Sequence, residues 1–261
     1  MNIHQIYDEY VAPNFDADYF GLNEESRNIA LGQLKICKKS FETILDLGVG
    51  TGEFLKALGE IYPQAQLWGV DSSQKMIEIA RKKFRGPLIK RRVRLIHDDI
   101  QSAGHHIAPE TIDLVILHFI LNYVDHQKVL LESRRALKSG GYLSISNCTS
   151  DSFPVLHSLA TQFVSEQFLQ TTFSVPENLD SLKKTANDLG FDTIEERIFH
   201  KSIIFPTFDD LYKFALYSGW VSNPFFLQMT DEEVASYRKF GQSLFPLHDE
   251  FRAVILLVKK R

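Results

Sequence analysis

The chain has 261 residues, of which 44% are hydrophobic and 24% charged. That is an ordinary globular composition, long enough to bury a full core without disulfides or a structural metal. A formal net charge of −4 excludes a global attraction to nucleic acid or to an anionic membrane, and two cysteines, Cys37 and Cys148, make neither a disulfide framework nor a metal-ligand spacing. The opening MNIHQIYDEYVAPNF has no basic segment followed by an apolar run, and the longest apolar runs, such as DLVILHFIL, are too short to span a bilayer. The expectation is a single cytoplasmic domain over 1–261.

In chain order, residues 1–40 read as an N-terminal helical cap: an aromatic, acidic stretch over 1–20, then a helix over 22–40 with apolar Ile29, Leu31, Leu34 and Ile36. A core over 41–149 alternates strand and helix. ETILDLG, AQLWGVD, RVRLIHDD, DLVILHF and GYLSISN read as strands; GEFLKALGEIYP, SQKMIEIARKKF and HQKVLLESRRALKSG read as helices between them. Helical patterns of this length between strands predict parallel βαβ units, and near-continuous apolar strands predict a sheet covered on both faces. Residues 150–180 and 206–245 read as helical lid insertions around a strand at TIEERIFHKSIIF, and 246–261 carries the final strand, FRAVILLVKK. The predicted fold class is α/β: a doubly wound, mostly parallel, seven-stranded sheet with a helical N-terminal and insertion lid.

The stretch ILDLGVGTGEF packs Gly48, Gly50 and Gly52 behind the first strand. A dinucleotide fingerprint starting at Gly48 requires glycine at 53, where Glu53 stands, an anion where a pyrophosphate would lie. A triphosphate loop requires Lys-Ser or Lys-Thr after the glycines, and neither follows. The loop therefore lets backbone approach a ligand without a phosphate there. Asp71, 19 residues past Gly52 at the next strand end, is placed to accept both hydroxyls of a ribose. A third acidic strand end, HDDI at 97–100, offers a carboxylate and a following N–H to an adenine edge. Together these describe a pocket for an adenosine group with a non-phosphate tail.

ILDLGVGTGEF, GVDSSQKMIEIAR, HDDI, DLVILHFILNYVD and LKSGGYLSIS, in that order, resemble the class I S-adenosylmethionine-dependent methyltransferases, whose fold is Rossmann-like. The resemblance covers about 40–147 well and the C-terminal strands more loosely. It implies S-adenosyl-L-methionine as cofactor and S-adenosyl-L-homocysteine as product. It also implies that Gly48, Gly50 and Gly52 pass the methionine portion, with Asp46 bracing the loop. Asp71 would hold the ribose, Ser72 and Met76 flank the nucleoside, Asp99 and Ile100 contact adenine, and Leu117 and His118 border the amino-acid end.

Each residue also has a plainer reading. Asp71 can cap the helix that follows it, and Asp98 and Asp99 can be turn residues. His118 stands where a small residue is expected, either as a cofactor-lining core histidine or as a catalytic base. His97, Asp98, Asp99, His105 and His106 match no standard metal spacing, and His118 and Phe119 stand where metal-dependent catechol-type methyltransferases carry an aspartate, so no metal is expected. The basic run Arg81, Lys82, Lys83, Arg85, Lys90, Arg91, Arg92 and Arg94 reads as a solvated helix end, or as a dock for RNA or an acidic carrier protein. It lacks interleaved aromatics, which speaks against nucleic acid.

No histidine or carboxylate pairs with an orienting partner as a convincing base, so the expected acceptor is small or lipophilic and acidic or pre-activated: a carboxylate, phenol or quinone-like compound. Tyr7, Tyr10, Tyr19, Phe153, Trp220, Phe225 and Phe226 could line its pocket. The competing readings are a non-catalytic regulatory protein that binds the same cofactor and a methyltransferase directed at RNA or a carrier protein. The oligomeric state, the pathway and the choice of O, N or C acceptor are not legible.

Overall fold

The computed structural model describes residues 3–86, 91–160, 176, 178–219 and 230–261. Seven strands form one sheet: β1 (Thr43–Leu47), β2 (Gln66–Asp71), β3 (Val93–His97), β4 (Ile112–His118), β5 (Leu137–Cys148), β6 (Phe191–Phe205) and β7 (Leu247–Lys260). The order is β3-β2-β1-β4-β5-β7-β6, with β7 antiparallel to both neighbours and the other pairings parallel. Among the described residues, the α-helices of seven residues or more are α1 (Leu22–Leu34), α2 (Glu53–Ile61), α3 (Gln74–Lys83), α4 (His126–Ala136), α5 (Pro154–Ala160), α6 (Leu179–Asp188), α7 (Phe208–Tyr217) and α8 (Asp231–Gly241).

Alternation along the strands assigns the layers, because successive side chains leave opposite faces. Leu45, Leu47, Val115 and Leu117 pack in one core with Val129 and Leu130 of α4 and Leu182 and Ala186 of α6. Ile44, Leu67, Leu114 and Ile116 pack in another with Leu34 of α1, Leu55 and Leu58 of α2, and Ile77 of α3. A third, aromatic core joins Phe205, Phe214, Phe251 and Phe153 beyond β5. Both faces of the sheet are therefore covered, as the doubly wound reading requires.

Sequence and structure differ most between α4 and β5. The predicted helix over 126–140 stops at Ala136, and Leu137 already begins β5. Register slips here: Ile112 faces Leu137, but Leu114 faces Tyr142. The extra residues bulge at the sheet's lower edge and bring Lys138 Nζ to 3.1 Å from Asp113. Asp113, on β4, also accepts from the Glu42 and Thr43 N–H groups at 3.1 and 3.0 Å and from the Thr43 hydroxyl at 2.9 Å. One carboxylate thus ties β1, β4 and β5 together at the end opposite the glycine loop.

Burial alone would raise the Asp113 pKa, but hydrogen bonds from Lys138 and Thr43 outweigh it and hold the carboxyl below its usual range. A depressed folded pKa contributes stability that is present above about pH 4 and lost as pH falls through the folded value. Asp113→Ala should cost about 2–3 kcal/mol of unfolding free energy in urea at pH 7, and its deficit against wild type should shrink in acid. A deficit that stays constant down to pH 3 would refute this account of the carboxylate.

Candidate active site at the carboxyl ends of the strands

The chain runs outward from β1 to β2 and β3, then returns to the other side of β1 for β4 and β5. The order reverses between β1 and β4, where open α/β sheets leave a crevice at their carboxyl ends. A cavity of about 860 Å³ opens there, lined by the glycine loop, the ends of β2, β3 and β4, and residues from α1 and the N-terminal segment. That volume lies in the upper range for ligand pockets, large enough for two small molecules side by side.

The loop is held by Asp71. Its Oδ2 accepts from the Gly50 N–H at 2.8 Å and its Oδ1 from the Ser73 N–H at 2.9 Å. The Gly48 and Val49 N–H groups donate to Val70 O, so the loop rests on the end of β2. Gly48 has φ 89°, and a Cβ there would lie 2.9 Å from Ile120 Cγ1. At Gly50, φ 53°, the nearest atom to an added Cβ would be Phe15 Cε1 at 3.8 Å, which leaves that stretch of backbone open to a ligand.

The bracing expected of Asp46 thus belongs to Asp71. Asp46 is 3% exposed and lines the cavity. Burial pushes its carboxyl up to about 8, with the nearby Asp71 charge adding to the shift. Asp71 is also raised by burial, against the pull of the Ser73 and Gly50 N–H groups and His97, with Asp8 adding to the rise.

On the β3 side the wall is Met76, His97, Asp98, Asp99 and Ile100, with Ser72 between. Asp99 Oδ1 accepts from the Gln101 N–H at 2.9 Å as the cap of a short 3₁₀ turn, and its N–H donates to Asp98 Oδ1 at 2.8 Å. Asp98 meets His106 Nε2 at 2.7 Å, and the hydrogen bond from His106, chiefly, holds its carboxyl below the usual range. His97 Nε2 lies 3.0 Å from Ser72 O. No group of three or more His, Cys, Asp or Glu side chains among the described residues is arranged to hold a metal ion.

On the β4 side His118 lines the cavity, stacked on Phe54 at 4.4 Å with Nε2 3.0 Å from Ser144 Oγ. Burial pushes its pKa down to about 3, so the ring is neutral at any physiological pH. The turn that follows is fixed by Asn147. Its Oδ1 accepts from the Leu121 N–H and its Nδ2 donates to Asn122 Oδ1 at 2.6 Å.

The N-terminal segment closes the front. Tyr7 OH donates to Tyr123 OH at 2.9 Å, and Tyr123 OH donates to Gly219 O at 3.0 Å. Asp16 and Glu53 share Lys83 at 2.6 and 2.7 Å, and Asp8 hydrogen-bonds Ser73 Oγ. The segment therefore holds to α3 and, through the Thr51 hydroxyl that donates to Asp16, to the glycine loop before α2. Sequence reading offered Tyr7 here but missed Tyr123 and Lys83; their partners lie far along the chain, so no local pattern marks them.

Among the expected cofactor residues, Asp46, Gly48, Gly50, Asp71, Ser72, Met76, Asp99, Ile100 and His118 are on the cavity wall. Leu117 and Gly52 are not. Leu117 points into the core beneath, and Gly52 begins α2 with its Cα facing Phe84 and Ala80. Of the expected acceptor residues, Phe153 is buried between Phe214 and Phe251 at 5.6 and 5.5 Å, and Tyr19 packs edge-on to Phe214. Both serve the aromatic core instead of the cavity. Tyr10 belongs to the turn Tyr7–Val11 and is also off the wall. Trp220, Phe225 and Phe226 lie outside the described residues.

The basic run does not form one surface. Lys83 faces inward to Asp16 and Glu53, Arg92 donates to Gly59 O and Ala65 O, and Arg94 lies over the Trp68 ring at 4.7 Å. Lys90 is outside the described residues. No helix among those described is long and apolar enough to cross a membrane.

Comparison with known proteins agrees with this geometry. A family model described as a methyltransferase domain matches residues 38–200, more than half of the chain. A demethylmenaquinone methyltransferase of Bacteroides fragilis is 31% identical over 160 residues, covering 59% of this chain and 63% of that protein. A trans-aconitate 2-methyltransferase of an Acidovorax strain is 32% identical over 123 residues, covering 46% and 44%. The chain thus spans less than two thirds of the length of these relatives. Among solved structures, the YcgJ protein of Bacillus subtilis superposes with a TM-score of 0.61 at 17% identity, covering 90% of this chain and 99% of that one. A geranyl diphosphate C-methyltransferase of Streptomyces coelicolor, solved with Mg²⁺, geranyl diphosphate and S-adenosyl-L-homocysteine, superposes at 0.58 and 14%, covering 95% and 84%. The chain belongs to the class I S-adenosylmethionine-dependent methyltransferase family.

Proposed function

We propose that the chain is an enzyme that transfers a methyl group from S-adenosyl-L-methionine to a small or lipophilic acceptor that is acidic or already activated: a carboxylate, phenol or quinone-like compound. The observation that carries this is the joint placement of the open Gly50 backbone and three acidic strand ends around one cavity. The residues present suit the cofactor. Asp71 spends one lone pair per oxygen, on the Gly50 and Ser73 N–H groups, and keeps others for ribose hydroxyls. Met76 and Ile100, almost fully buried, supply apolar walls for a purine. Asp46 suits a cationic methionine end.

When bound, the cofactor supplies a methyl group on a sulfonium whose departure leaves a neutral thioether. The chain's own contribution is alignment and exclusion of water. The Asp71 clamp fixes the loop, the β4 turn fixes the opposite wall, and the Tyr7–Tyr123 contact shuts the front. An anionic acceptor loses charge in the transition state, so a dry wall favours the reaction. His118 is proposed as part of that wall. A ring whose conjugate acid has a pKa near 3 takes a proton from a phenol only at a steep penalty, and its described partner is a serine hydroxyl.

Calorimetry is the first test. S-adenosyl-L-methionine should bind in the sub-millimolar range typical of enzyme ligands, and Asp71→Asn should weaken it roughly tenfold to a hundredfold. Absence of binding at millimolar cofactor would overturn the reading. The Asp46 pKa of about 8 sets a pH dependence. A cation bound beside it favours the carboxylate, so binding below pH 8 expels a proton and affinity rises from pH 6 toward 8. The slope should be steeper in wild type than in Asp46→Asn, since the substitution removes only the contribution of this group; equal slopes would remove Asp46 from the cation's surroundings. Once an acceptor is found, His118→Gln should retain turnover within about tenfold, followed as S-adenosyl-L-homocysteine release. A loss beyond a hundredfold with cofactor affinity intact would make the histidine a base.

A further inference from the structure

The sheet ends on its longest strand, β6 (Phe191–Phe205). β6 pairs with β7 on one side, and among the described residues no strand lies on the other. A long open edge is a template for a further strand unless charge, a bulge or a cover guards it. Beyond the register slip between Thr193 and Glu195 the strand pairs regularly, so its side chains alternate between faces. Phe199, Ile203 and Phe205 are buried in the aromatic core on one face. Ile198 and Ile204 stand on the other, 66% and 47% exposed. Ile198 is the most exposed large apolar side chain among the described residues.

Charge is segregated along the same edge. The acids Asp192, Glu195 and Glu196 come first, and the bases Arg197, His200 and Lys201 follow. Each has a surface partner within the chain: Arg261 on Asp192, Arg197 on Glu195, Lys183 on Glu196, Glu250 on His200 and Glu25 on Lys201. Such exposed pairs are individually worth little. A strand acidic in its first half and basic in its second is, however, complementary to its own antiparallel copy.

Symmetry selects the register. Residues directly opposite each other in an antiparallel pair share a face. A twofold axis normal to the sheet keeps each copy's faces on the same side, so a residue pairs only with one of its own parity, and the axis passes between two copies of a single residue. Centred on Ile198, the pairing sets Glu196 of each copy opposite His200 of the other, Glu195 opposite Lys201, and the two Ile198 side chains together. One step on, centred on Phe199, it sets Arg197 opposite Lys201, a like-charge pair that destabilises. One step back, centred on Arg197, it sets Glu196 opposite Ile198. The slip before Glu195 and its symmetry mate beyond Lys201 bound the paired run.

We propose that β6 is a homodimer interface, in which two copies pair antiparallel about Ile198 and run their sheets into one. The open N–H and C=O groups and the two isoleucines supply the affinity, and the charges specify the register. The proposal stands independently of the methyl-transfer reading.

Sedimentation velocity on the full chain across the micromolar range should show monomer and dimer and nothing larger, because a twofold contact uses up the β6 edge. Ile198→Lys places two like charges at the axis and should weaken the dimer by about tenfold or more, with an unchanged far-ultraviolet spectrum. Cross-linking tests the register even where that variant fails to fold. In a Cys37→Ser background, which leaves only the buried Cys148, a short bismaleimide should join two Ile198→Cys chains. It should not join Ile204→Cys chains: Ile204 falls opposite Asp192, so its two copies stand roughly 40 Å apart at about 3.4 Å per residue. A monomer at every concentration, species that grow beyond the dimer, a dimer indifferent to Ile198→Lys, or Ile204→Cys cross-linking as readily as Ile198→Cys would each overturn the proposal.

Discussion

The site depends on one carboxylate with two obligations. Asp71 ends β2 and receives N–H groups from Gly50, on the loop after β1, and from Ser73, at the cap of α3. Backbone N–H groups at such a turn cannot be left unpaired once buried. The carboxylate therefore fixes the distance between loop and helix before any ligand arrives. The same oxygens point at the cavity with lone pairs unspent. The acid that reads in sequence as a helix cap instead holds the N–H of the actual cap, Ser73.

Burial decides the protonation states around that group. Asp46 is buried near the end of β1 and His118 half-buried at the end of the adjacent β4, and each is driven toward its neutral form. Where burial disfavours bare charge, a charge brought by a ligand interacts more strongly with its partners than it would in water. Other acids of the wall are held by partners: Asp16 and Glu53 share Lys83, Asp98 meets His106, and Asp18 and Asp99 accept from backbone N–H groups. The cavity is lined with many carboxylates, most of them held by hydrogen bonds or by a shared lysine.

The parts legible in sequence were those set by local spacing. Strand alternation, the glycine loop and the acid at each strand end all lie within a few residues, so their periodicity gives the sheet and the nucleoside side of the cavity. The α4–β5 junction was misread because the helical pattern of HQKVLLESRRALKSG runs on past Ala136, while the Lys138–Asp113 contact and the register slip at Ile112 are tertiary. Aromatic residues were an ambiguous signal for the acceptor pocket. Phe153 and Tyr19 satisfy the core through Phe214 and Phe251, and a ring's identity does not reveal which side of a wall it faces.

The N-terminal segment makes the acceptor side a property of the whole chain. Tyr7 reaches Tyr123 after β4, and Tyr123 reaches Gly219 after α7, so three distant stretches meet through two hydroxyls. A Cβ at Gly219 would come within 3.0 Å of Tyr7 OH, which leaves that junction no room for a larger residue. The segment also contributes Asp18, whose carboxylate caps α1 and so sets the height at which Asn23 and Arg27 stand over the cavity. The front of the cavity therefore rests on contacts between stretches far apart in the chain, and no one of them forms the wall alone.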